Sequence, residues 1–313
     1  MKEKVLLTGG AGFIGSNVCD LLIDSGYEVV VVDNLRSGKK ENLNAKAKFY
    51  PVDITDENAL EKVFKKEKPD FVDHHAAQAS VNFSIREPLE DAKINILGSI
   101  NLFKLAVKYK VKKIVYASSG GAMYGDPNKL PTDENTHPSP SSFYAISKLT
   151  AEHYQRVISE LNNTENTTLR YSNVFGPRQD PAGEAGVVAI FIGKMLDGEK
   201  PTIFGDGKQT RDYCYVGDIA RANLLALTTE TKSRAFNIGS GKASSVIDIY
   251  EGVKKALKSN VPVAFGPKRL GEVRDIYLDI RLAKEELNWE PKVSLEEGLK
   301  KTAEWQKNQV HGK

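Results

Sequence analysis

The chain has 313 residues, of which 40% are hydrophobic and 27% are charged, and its formal net charge is +3 at pH 7. That length supports one large domain or two tightly joined lobes with a sizeable core. The near balance of charge, without a basic block, disfavours nucleic acid and anionic membranes as partners. No apolar run approaches the roughly 18 residues of a membrane helix, and the first strand begins too early to leave room for a signal peptide. We therefore expect a cytoplasmic protein.

A glycine-rich turn joins the first predicted strand to the first predicted helix. The apolar run 5–7 is followed by Gly9, Gly12 and Gly15 and then by an apolar-periodic segment. Glycines in this context allow a tight turn, close approach of the backbone to a ligand, and close packing of the helix on the strand. The N–H groups and the positive dipole end of that helix suit a pyrophosphate. The turn predicts a dinucleotide site, the alternative being a structural turn in another α/β protein.

The second predicted strand, 28–32, ends in Asp33, eighteen residues after Gly15. A carboxylate there can bind both hydroxyls of an adenosine ribose and repels a 2′-phosphate. The sequence therefore predicts NAD rather than NADP as the cofactor. Arg36 is close by and leaves some tolerance of NADP open.

The third predicted strand, 48–52, leads to Asp53, which lies where the third strand of such a sheet would reach the adenine. Asp53 or Asp56 could instead serve as the N-cap of the helix predicted over 57–66. Both interpretations of these carboxylates remain open from the sequence.

The fourth predicted strand, 69–75, is followed by Ala76 and Ala77, small residues that let the backbone pass close to a cofactor. His74 and His75 are adjacent on this strand, so their side chains point to opposite faces and cannot share a metal ion without distortion. No cysteine or carboxylate completes a metal site there, and we predict no bound metal. The two cysteines of the chain, Cys19 and Cys214, are too few and too scattered for a disulfide framework.

A long amphipathic helix is predicted over 89–110, and a fifth strand over 112–117. The inward face of that helix is assigned to Ile94, Leu97, Leu102, Leu105 and Ala106. The strand–helix alternation predicts an α/β fold with a doubly wound parallel sheet. Ligands of such sheets bind beyond the carboxyl ends of the strands. The residues expected to converge there on one crevice are Gly9, Asp33, Asp53, Ala76 and Ser118.

Tyr144 and Lys148 lie four residues apart at the start of a helix predicted to run from 143 to about 161, and hence on one helix face. A free tyrosine ionises near pH ~10 and a lysine near ~10.4, so neither is useful alone at neutral pH. Beside an oxidised nicotinamide, the lysine would stabilise the phenolate and bring the tyrosine into acid–base range. We interpret the two residues as catalytic; the alternative is a packed tyrosine beside a solvated lysine.

With this pair, the sequence resembles the extended short-chain dehydrogenase/reductase family and, within it, the UDP-glucose 4-epimerase-like nucleotide-sugar enzymes. The matching stretches span almost the whole chain: TGGAGFIG (8–15), Asp33-Asn34, Asp53-Ile54, HHAAQASV (74–81), SSGGAMYG (118–125), YAISK (144–148), LRYSNVFGPRQ (169–179), PTIFGDGKQTRDYCYVGDIARA (201–222), FNIGSG (236–241) and RLGEVRDIYLDIRLAKEELNW (269–289).

The resemblance implies a Rossmann-type NAD-binding domain over 1–172, with 212–241 packing back onto it, and a smaller mixed α/β nucleotide-sugar lobe over 173–313. It also implies a homodimer formed through helices 89–110 and 143–161. The residues implied to contact NAD are Phe13, Ile14, Asp33, Asn34, Asp53, Ile54, Ala76, Ala77, Gln78, Asn95, Tyr144 and Lys148.

The same resemblance assigns the nucleotide-sugar site to the second half of the chain. Arg211 and Arg269 match the arginines that hold the diphosphate, a role that suits a planar guanidinium. Ile276 falls at the residue that decides whether an N-acetyl group fits. The remaining implied substrate contacts are Asn173, Val187, Val188, Ile203 and Phe204.

In enzymes of this kind the tyrosine removes a hydroxyl proton while a hydride passes from C4 of the sugar to NAD. Dehydratases and decarboxylases of the family carry carboxylates after a serine or threonine, where this chain has Gly120, Gly121 and Ala122. None of these can transfer a proton, which leaves 4-epimerisation of a UDP-hexose, with or without an N-acetyl group, in which NAD is retained.

The family's serine or threonine falls on Gly120 when the stretches are aligned on Tyr124-Gly125. Ser119 could supply the missing hydroxyl if the loop turns differently, or a water could fill the gap. The alternatives to an epimerase are a 4-keto nucleotide-sugar reductase and a non-catalytic protein that senses NAD.

Overall fold

The computed structural model describes residues 2–181, 186–268 and 273–311. The strands in this part of the chain are β1 (Lys4–Thr8), β2 (Glu28–Val32), β3 (Lys48–Tyr50), β4 (Phe71–His74), β5 (Lys113–Ser119), β6 (Glu165–Tyr171), β7 (Asn173–Phe175), β8 (Thr202–Phe204), β9 (Thr210–Arg211), β10 (Tyr213–Tyr215), β11 (Ala235–Ile238), β12 (Ser244–Ser245) and β13 (Ala264–Gly266).

The helices of the described residues are α1 (Phe13–Asp24), α2 (Glu57–Glu67), α3 (Val81–Arg86), α4 (Pro88–Ala92), α5 (Ser99–Lys108), α6 (Gly120–Met123), α7 (Phe143–Leu161), α8 (Val187–Leu196), α9 (Val216–Thr228), α10 (Val246–Leu257), α11 (Arg281–Leu287) and α12 (Leu295–His311). A 3₁₀ turn covers Lys40–Asn42, and a π-helical turn covers Lys93–Gly98.

The centre of the fold is a parallel sheet to which seven of the described strands belong, in the order β3-β2-β1-β4-β5-β6-β11. The chain builds one half of the sheet outward from β1 and then returns to build the other half from β4. Such a reversal of strand order leaves a crevice at the carboxyl ends of the two central strands. The predicted doubly wound α/β sheet is confirmed.

The two innermost strands of the first half have sequences without polar alternation, KVLLT in β1 and EVVVV in β2, which is typical of strands covered on both faces. Val5 and Leu7 join a core with the buried side chains of α1 and α9, whereas Leu6 joins a second core with those of α2 and α5. This alternation fixes which side chains of β4 and β5 face each layer of helices.

The helix predicted over 89–110 is interrupted in the structure. α4 and α5 are joined by the π-helical turn Lys93–Gly98, which takes in an extra residue and rotates the buried face of the helix. Leu102, Leu105 and Ala106 are buried as predicted, but Leu97 is 57% exposed. Placing Leu97 on the inward face was therefore wrong, because a constant helical period was assumed through the turn.

A smaller mixed α/β lobe follows β6. In this lobe β7 pairs with β10 and β8 with β13, both in parallel, and β9 pairs with β12 in antiparallel fashion. Side chains of α8, α10 and α12 pack with β8 into a separate core that includes Phe191, Ile203, Tyr250 and Leu299. The second half of the chain therefore has a core of its own, apart from the two cores of the central sheet.

Among the described residues, no helix is long and apolar enough to cross a membrane.

Candidate active site

The glycine turn after β1 brings three segments of backbone into close contact. Gly9 has φ +70°, and a Cβ built on it would lie 2.7 Å from the Ala76 nitrogen. A Cβ on Gly15 would lie 2.3 Å from the Gly9 carbonyl oxygen. α1 begins directly afterwards without a capping side chain and without an acidic residue in its first turn. The turn therefore leaves the positive end of α1 open to an anion.

Asp33 is held at the end of β2 by two backbone hydrogen bonds. Its Oδ2 accepts from the Ala11 N–H (3.0 Å) and its Oδ1 from the Leu35 N–H (2.8 Å). These bonds fix the carboxylate above the glycine turn, where the sequence predicts a ribose. The Arg36 guanidinium is directed away, with Nη1 2.8 Å from Glu90 Oε1 on α4.

Asp53 and Ile54 follow β3, and the Ile54 side chain is buried. Asp53 Oδ2 accepts from Asn34 Nδ2 (2.7 Å). Burial raises the pKa of Asp53, but hydrogen bonds from Thr55 and Asn34 outweigh that effect and lower it below its usual range. Asp56, and not Asp53, is the N-cap of α2, with Oδ1 3.0 Å from the Ala59 nitrogen.

The turn that follows β4 is tied to β1 by Thr8. The Thr8 Oγ1 accepts from the N–H groups of His75 (3.2 Å) and Ala76 (3.1 Å) and lies 2.7 Å from Nδ1 of His74. The two histidines point to opposite faces of the sheet: the His74 ring packs near Tyr116, and the His75 ring stacks on Tyr171. Among the described residues, no group of three or more His, Cys, Asp or Glu side chains could hold a metal ion.

Gln78 and Asn95, two of the residues implied to contact NAD, are hydrogen-bonded to each other. The Gln78 N–H donates to Asn95 Oδ1 (2.8 Å), and Asn95 Nδ2 donates to the Gln78 carbonyl (2.9 Å). Both side chains also donate to Asp91 Oδ1, which the sequence analysis overlooked. Asp91 lies four residues before Asn95, which puts these two residues on one helix face, and this spacing could have indicated Asp91 as part of the site.

Tyr144 and Lys148 lie one turn apart at the start of α7. Lys148 is 4% exposed, and its Nζ lies 4.6 Å from the centre of the Tyr116 ring. Burial lowers the pKa of Lys148 to about 7, against the opposing effect of the Asp91 carboxylate. Burial raises the pKa of Tyr144, while a hydrogen bond with Ser119 lowers it and the Asp91 charge raises it. Ionisation of Tyr144 near neutral pH therefore needs added positive charge beside it.

Ser119, the last residue of β5, is the hydroxyl that contacts Tyr144. Ser118 is turned to the other side, with Oγ 3.4 Å from Glu152 Oε2. Gly120 has no room for a side chain: a Cβ there would lie 2.9 Å from Leu278 Cδ1 and 3.0 Å from a backbone carbonyl oxygen. The geometry thus supports Ser119 as the partner of Tyr144.

A buried ion pair, also overlooked from the sequence, fixes α7 against the sheet. Arg170 Nη2 lies 2.5 Å from Glu152 Oε1, and both side chains are about nine-tenths buried. Arg170 Nη1 also donates to the Tyr124 hydroxyl (2.9 Å), which in turn donates to Asn237. The pair therefore connects α7, the helix on which Tyr144 lies, with β6 and with the turn that follows β5.

Three predicted substrate residues, Asn173, Phe204 and Arg211, have exposed or partly buried side chains. Asn173 is exposed at the start of β7, and a Cβ on Gly121 would lie 3.3 Å from its Oδ1. Phe204 lines a cavity of about 240 Å³ together with residues such as Gln209 and Arg274. Arg211 is partly buried, with Nη1 2.8 Å from the Thr210 carbonyl oxygen.

Other predicted substrate residues are placed differently. Ile203 and Val188 are 1% exposed in the core of the smaller lobe, and Ile276 is 2% exposed beside Met123. Contact of a substrate with these three side chains requires their neighbours to move. Val187 is partly exposed at the start of α8. Arg269 lies outside the described residues.

A sequence model of the NAD dependent epimerase/dehydratase family matches residues 5–239. The chain belongs to this family. A putative UDP-glucose 4-epimerase of Methanocaldococcus jannaschii is 48% identical over 97% of this chain and 98% of that protein. The crystal structure of the UDP-glucose 4-epimerase of Thermotoga maritima with UDP-glucose is similar with a TM-score of 0.96 and 50% identity, covering 98% of this chain and 99% of that one. The crystal structure of the UDP-glucose 4-epimerase of Thermus thermophilus in complex with NAD is similar with a TM-score of 0.92 and 40% identity, covering 97% of this chain and 99% of that one.

As a member of the NAD dependent epimerase/dehydratase family, the chain is an enzyme that uses NAD, as the sequence predicted. The described residues fit that cofactor. The backbone at Gly9 and Gly15 is packed too closely for any side chain, the start of α1 is open to a pyrophosphate, and the Asp33 carboxylate is fixed beside it. These are the features that a dinucleotide requires at the reversal point of a parallel sheet.

Proposed function

We propose that the protein catalyses the NAD-dependent 4-epimerisation of a UDP-hexose. The observation that carries this proposal is the arrangement of Tyr144, Lys148 and Ser119 at the carboxyl end of β5, beside a turn that holds no second acid or base. The names of the similar proteins, two of which are UDP-glucose 4-epimerases with solved structures, support it. The same names do not favour a 4-keto sugar reductase or an NAD sensor.

Tyr144 is the acid–base group of the proposed reaction. Its phenolate oxygen takes the proton of the sugar C4 hydroxyl, and the phenol so formed later returns that proton to the 4-keto oxygen. NAD held at the glycine turn would supply the hydride chemistry of the reaction, as acceptor from C4 and then as donor to it. Ser119 donates to or accepts from the Tyr144 oxygen and so orients it, while the charge of Lys148 favours the phenolate.

The turn over Gly120, Gly121 and Ala122 accounts for the choice among reactions. Elimination or decarboxylation needs a further group that can transfer a proton, and glycine and alanine have none. The reaction that remains is rotation of the 4-keto sugar within the site, followed by return of the hydride to its other face. That sequence of steps also regenerates the cofactor in its starting state, so no external reductant is consumed.

We further propose that residues 1–172, with 212–241, hold NAD and that 173–313 hold the nucleotide sugar. Asn173 and Arg211 would contact the diphosphate, and the cavity beside Phe204 would take the base. The exposed position of Asn173 next to Gly121 supports the first assignment. The aromatic wall and the amide of Gln209 in that cavity suit a flat, polar base and support the second.

We also propose that the protein is a homodimer. Among the described residues, the large apolar side chains left exposed fall almost entirely on α3, α4, the π-helical turn and α7: Val81, Ile85, Leu89, Leu97, Phe143, Ile146, Tyr154, Val157 and Leu161. These segments pack against α7, and exposed apolar side chains grouped on neighbouring helical segments are typical of an interface between copies, each contributing the same surface. The cytoplasmic location expected from the sequence stays a prediction.

The experiment that tests the proposed function uses purified protein without added NAD. The protein is incubated with UDP-galactose and, separately, with UDP-N-acetylgalactosamine, and the products are followed by NMR. We expect the 4-epimer of at least one sugar to appear, and the ratio of the two rates to define the sugar specificity. If neither sugar turns over, even after NAD is supplied, the proposal is wrong.

A further inference from the structure

Asp91 places a buried carboxylate next to the catalytic turn. The residue is completely inaccessible to solvent. Its Oδ1 accepts from Gln78 Nε2 (2.8 Å) and Asn95 Nδ2 (3.0 Å), and its Oδ2 accepts from the Ser147 hydroxyl (2.6 Å). All three donors are neutral, so they solvate the negative charge without cancelling it. A buried charge of this kind is costly unless an opposite charge lies near.

The three donors come from three different segments of the site. Gln78 belongs to the turn after β4, Asn95 to the π-helical turn, and Ser147 to the first part of α7, next to Lys148. π-helical turns within helices occur frequently at functional sites. Here the turn lets Asn95 reach the Gln78 backbone and Asp91 at the same time. Asp91 therefore connects the cofactor side of the crevice to the helix that carries the acid–base pair.

The charged and titratable groups around Lys148 single out Asp91 as its counter-charge. From β4, His74 faces Lys148, and burial holds the His74 pKa well below its usual range, so His74 is neutral. From β5, Lys148 meets the face of the Tyr116 ring. On α7 itself, Tyr144 has a raised pKa and is a neutral phenol as long as no positive charge is added beside it, and Glu152 is paired with an arginine. Asp91, on α4, is the carboxylate that acts on Lys148.

We propose that Asp91 is a positioning residue of the reaction: it fixes the Tyr144–Lys148 turn through Ser147 and keeps the buried Lys148 ammonium charged. This inference rests on the proposed function, since it concerns the same pair. Burial alone lowers the pKa of Lys148, and the Asp91 carboxylate opposes that effect. The same carboxylate raises the pKa of Tyr144. Asp91 thus moves both members of the pair towards their protonated forms.

The first test is a titration of Lys148 in the full-length protein. The ¹³Cε signal of Lys148, assigned from the Lys148→Arg spectrum, is followed against pH in wild type and in Asp91→Asn. We expect the midpoint to fall by about one pH unit in Asp91→Asn, the size of effect that one nearby opposite charge has on a buried group. Glu87→Gln, an exposed carboxylate one turn earlier on the same helical segment, should leave the midpoint unchanged. An unchanged midpoint in Asp91→Asn would overturn the proposal.

The second test is the dependence of kcat on pH. Loss of Asp91 should move both limbs of the profile to lower pH, because Lys148 loses its proton and Tyr144 ionises at lower pH. A loss of packing alone would lower kcat at every pH without moving the limbs, and that result would count against the proposal. If wild type does not epimerise any UDP-hexose, the proposed function fails, and the lysine titration still decides the role of Asp91.

Ser147→Ala is the milder variant that keeps the proposal testable if Asp91→Asn does not fold. It removes one hydrogen bond from the Asp91 carboxylate and retains the charge. We expect the Lys148 midpoint to stay at or above the wild-type value while kcat falls at every pH. A midpoint that falls in Ser147→Ala would contradict the assignment of the charge to Asp91.

Discussion

At the scale of the residue, the hydroxyl of Tyr144 defines the site, because every other feature of the turn is arranged around it. Ser119 is hydrogen-bonded to that hydroxyl. Burial and the Asp91 carboxylate raise the pKa of Tyr144, and the positive charge of Lys148 opposes both effects because it stabilises the phenolate. We expect Tyr144→Phe to lower kcat by about 10²–10⁴-fold, which is the usual contribution of a positioned acid–base group. Thermal unfolding and the amount of bound NAD, measured in parallel, should match wild type. A variant that retained more than a tenth of the rate would contradict the assigned role.

Ser119, and not its neighbour Gly120, supplies the hydroxyl beside Tyr144. A side chain on Gly120 would clash with Leu278 and with the Arg170 carbonyl oxygen. We expect Gly120→Ser to cost about 1–3 kcal/mol of stability, as overpacking does, and to leave Ser119 necessary for activity. Urea unfolding of Gly120→Ser and the rates of Ser119→Ala and of the double variant check this. Recovery of the Ser119→Ala rate by the serine at 120 would contradict it.

At the scale of the element, α2 is joined to the edge of the sheet by a buried carboxylate at its end. Glu67, whose side chain is 4% exposed, accepts from Lys4 Nζ (2.9 Å) on β1 and from the Tyr50 hydroxyl (2.7 Å) on β3. Burial alone would raise the pKa of Glu67, but these hydrogen bonds outweigh it and lower the pKa to about 2. The carboxylate therefore stabilises the fold only while it is ionised.

The pH dependence of stability follows from that depressed pKa. Because the folded-state pKa lies below the unfolded value, the contribution of Glu67 is complete above about pH 4.5 and is lost as the pH falls towards 2. We expect the urea midpoint of wild type to fall between pH 5 and pH 3 more steeply than that of Glu67→Gln. Glu57→Gln, an exposed carboxylate on the same helix, is the control and should keep the wild-type slope. Equal slopes in wild type and Glu67→Gln would contradict the account.

The sheet and its glycine turn could be predicted from the sequence, whereas the π-helical turn and the burial of Asp91 could not. The apolar runs of β1 and β2 and the glycine turn predicted the sheet and its crevice, because burial and backbone geometry leave few alternatives there. The π-helical turn Lys93–Gly98 could not be predicted, since its residues fit an α-helical period equally well. The spacing of Asp91 from Asn95 indicates at most that the two share a helix face, and only the tertiary fold shows that the Asp91 side chain is buried among Gln78, Asn95 and Ser147.

At the scale of the whole molecule, the exposed apolar face of α4 and α7 leads to a test of the proposed dimer. Leu89 is 86% exposed and Leu161 78% exposed on that face. A buried charge at a symmetric interface occurs twice and is costly without a partner. We expect Leu89→Glu to shift the protein from dimer to monomer in sedimentation velocity. Phe265→Glu, which changes an exposed aromatic residue on β13, should remain dimeric. A wild type that sediments as a monomer at micromolar concentration would contradict the proposal.

The measurement that tests the central claim most directly follows the hydrogen at C4. UDP-galactose carrying deuterium at C4 is converted by the purified protein in ordinary water with an excess of added, unlabelled NAD. If the hydride leaves C4 and returns within one site, the UDP-glucose formed will retain the deuterium, and the added NAD will stay unlabelled. Loss of the deuterium to water, or its appearance in the added NAD, would contradict epimerisation with a retained cofactor.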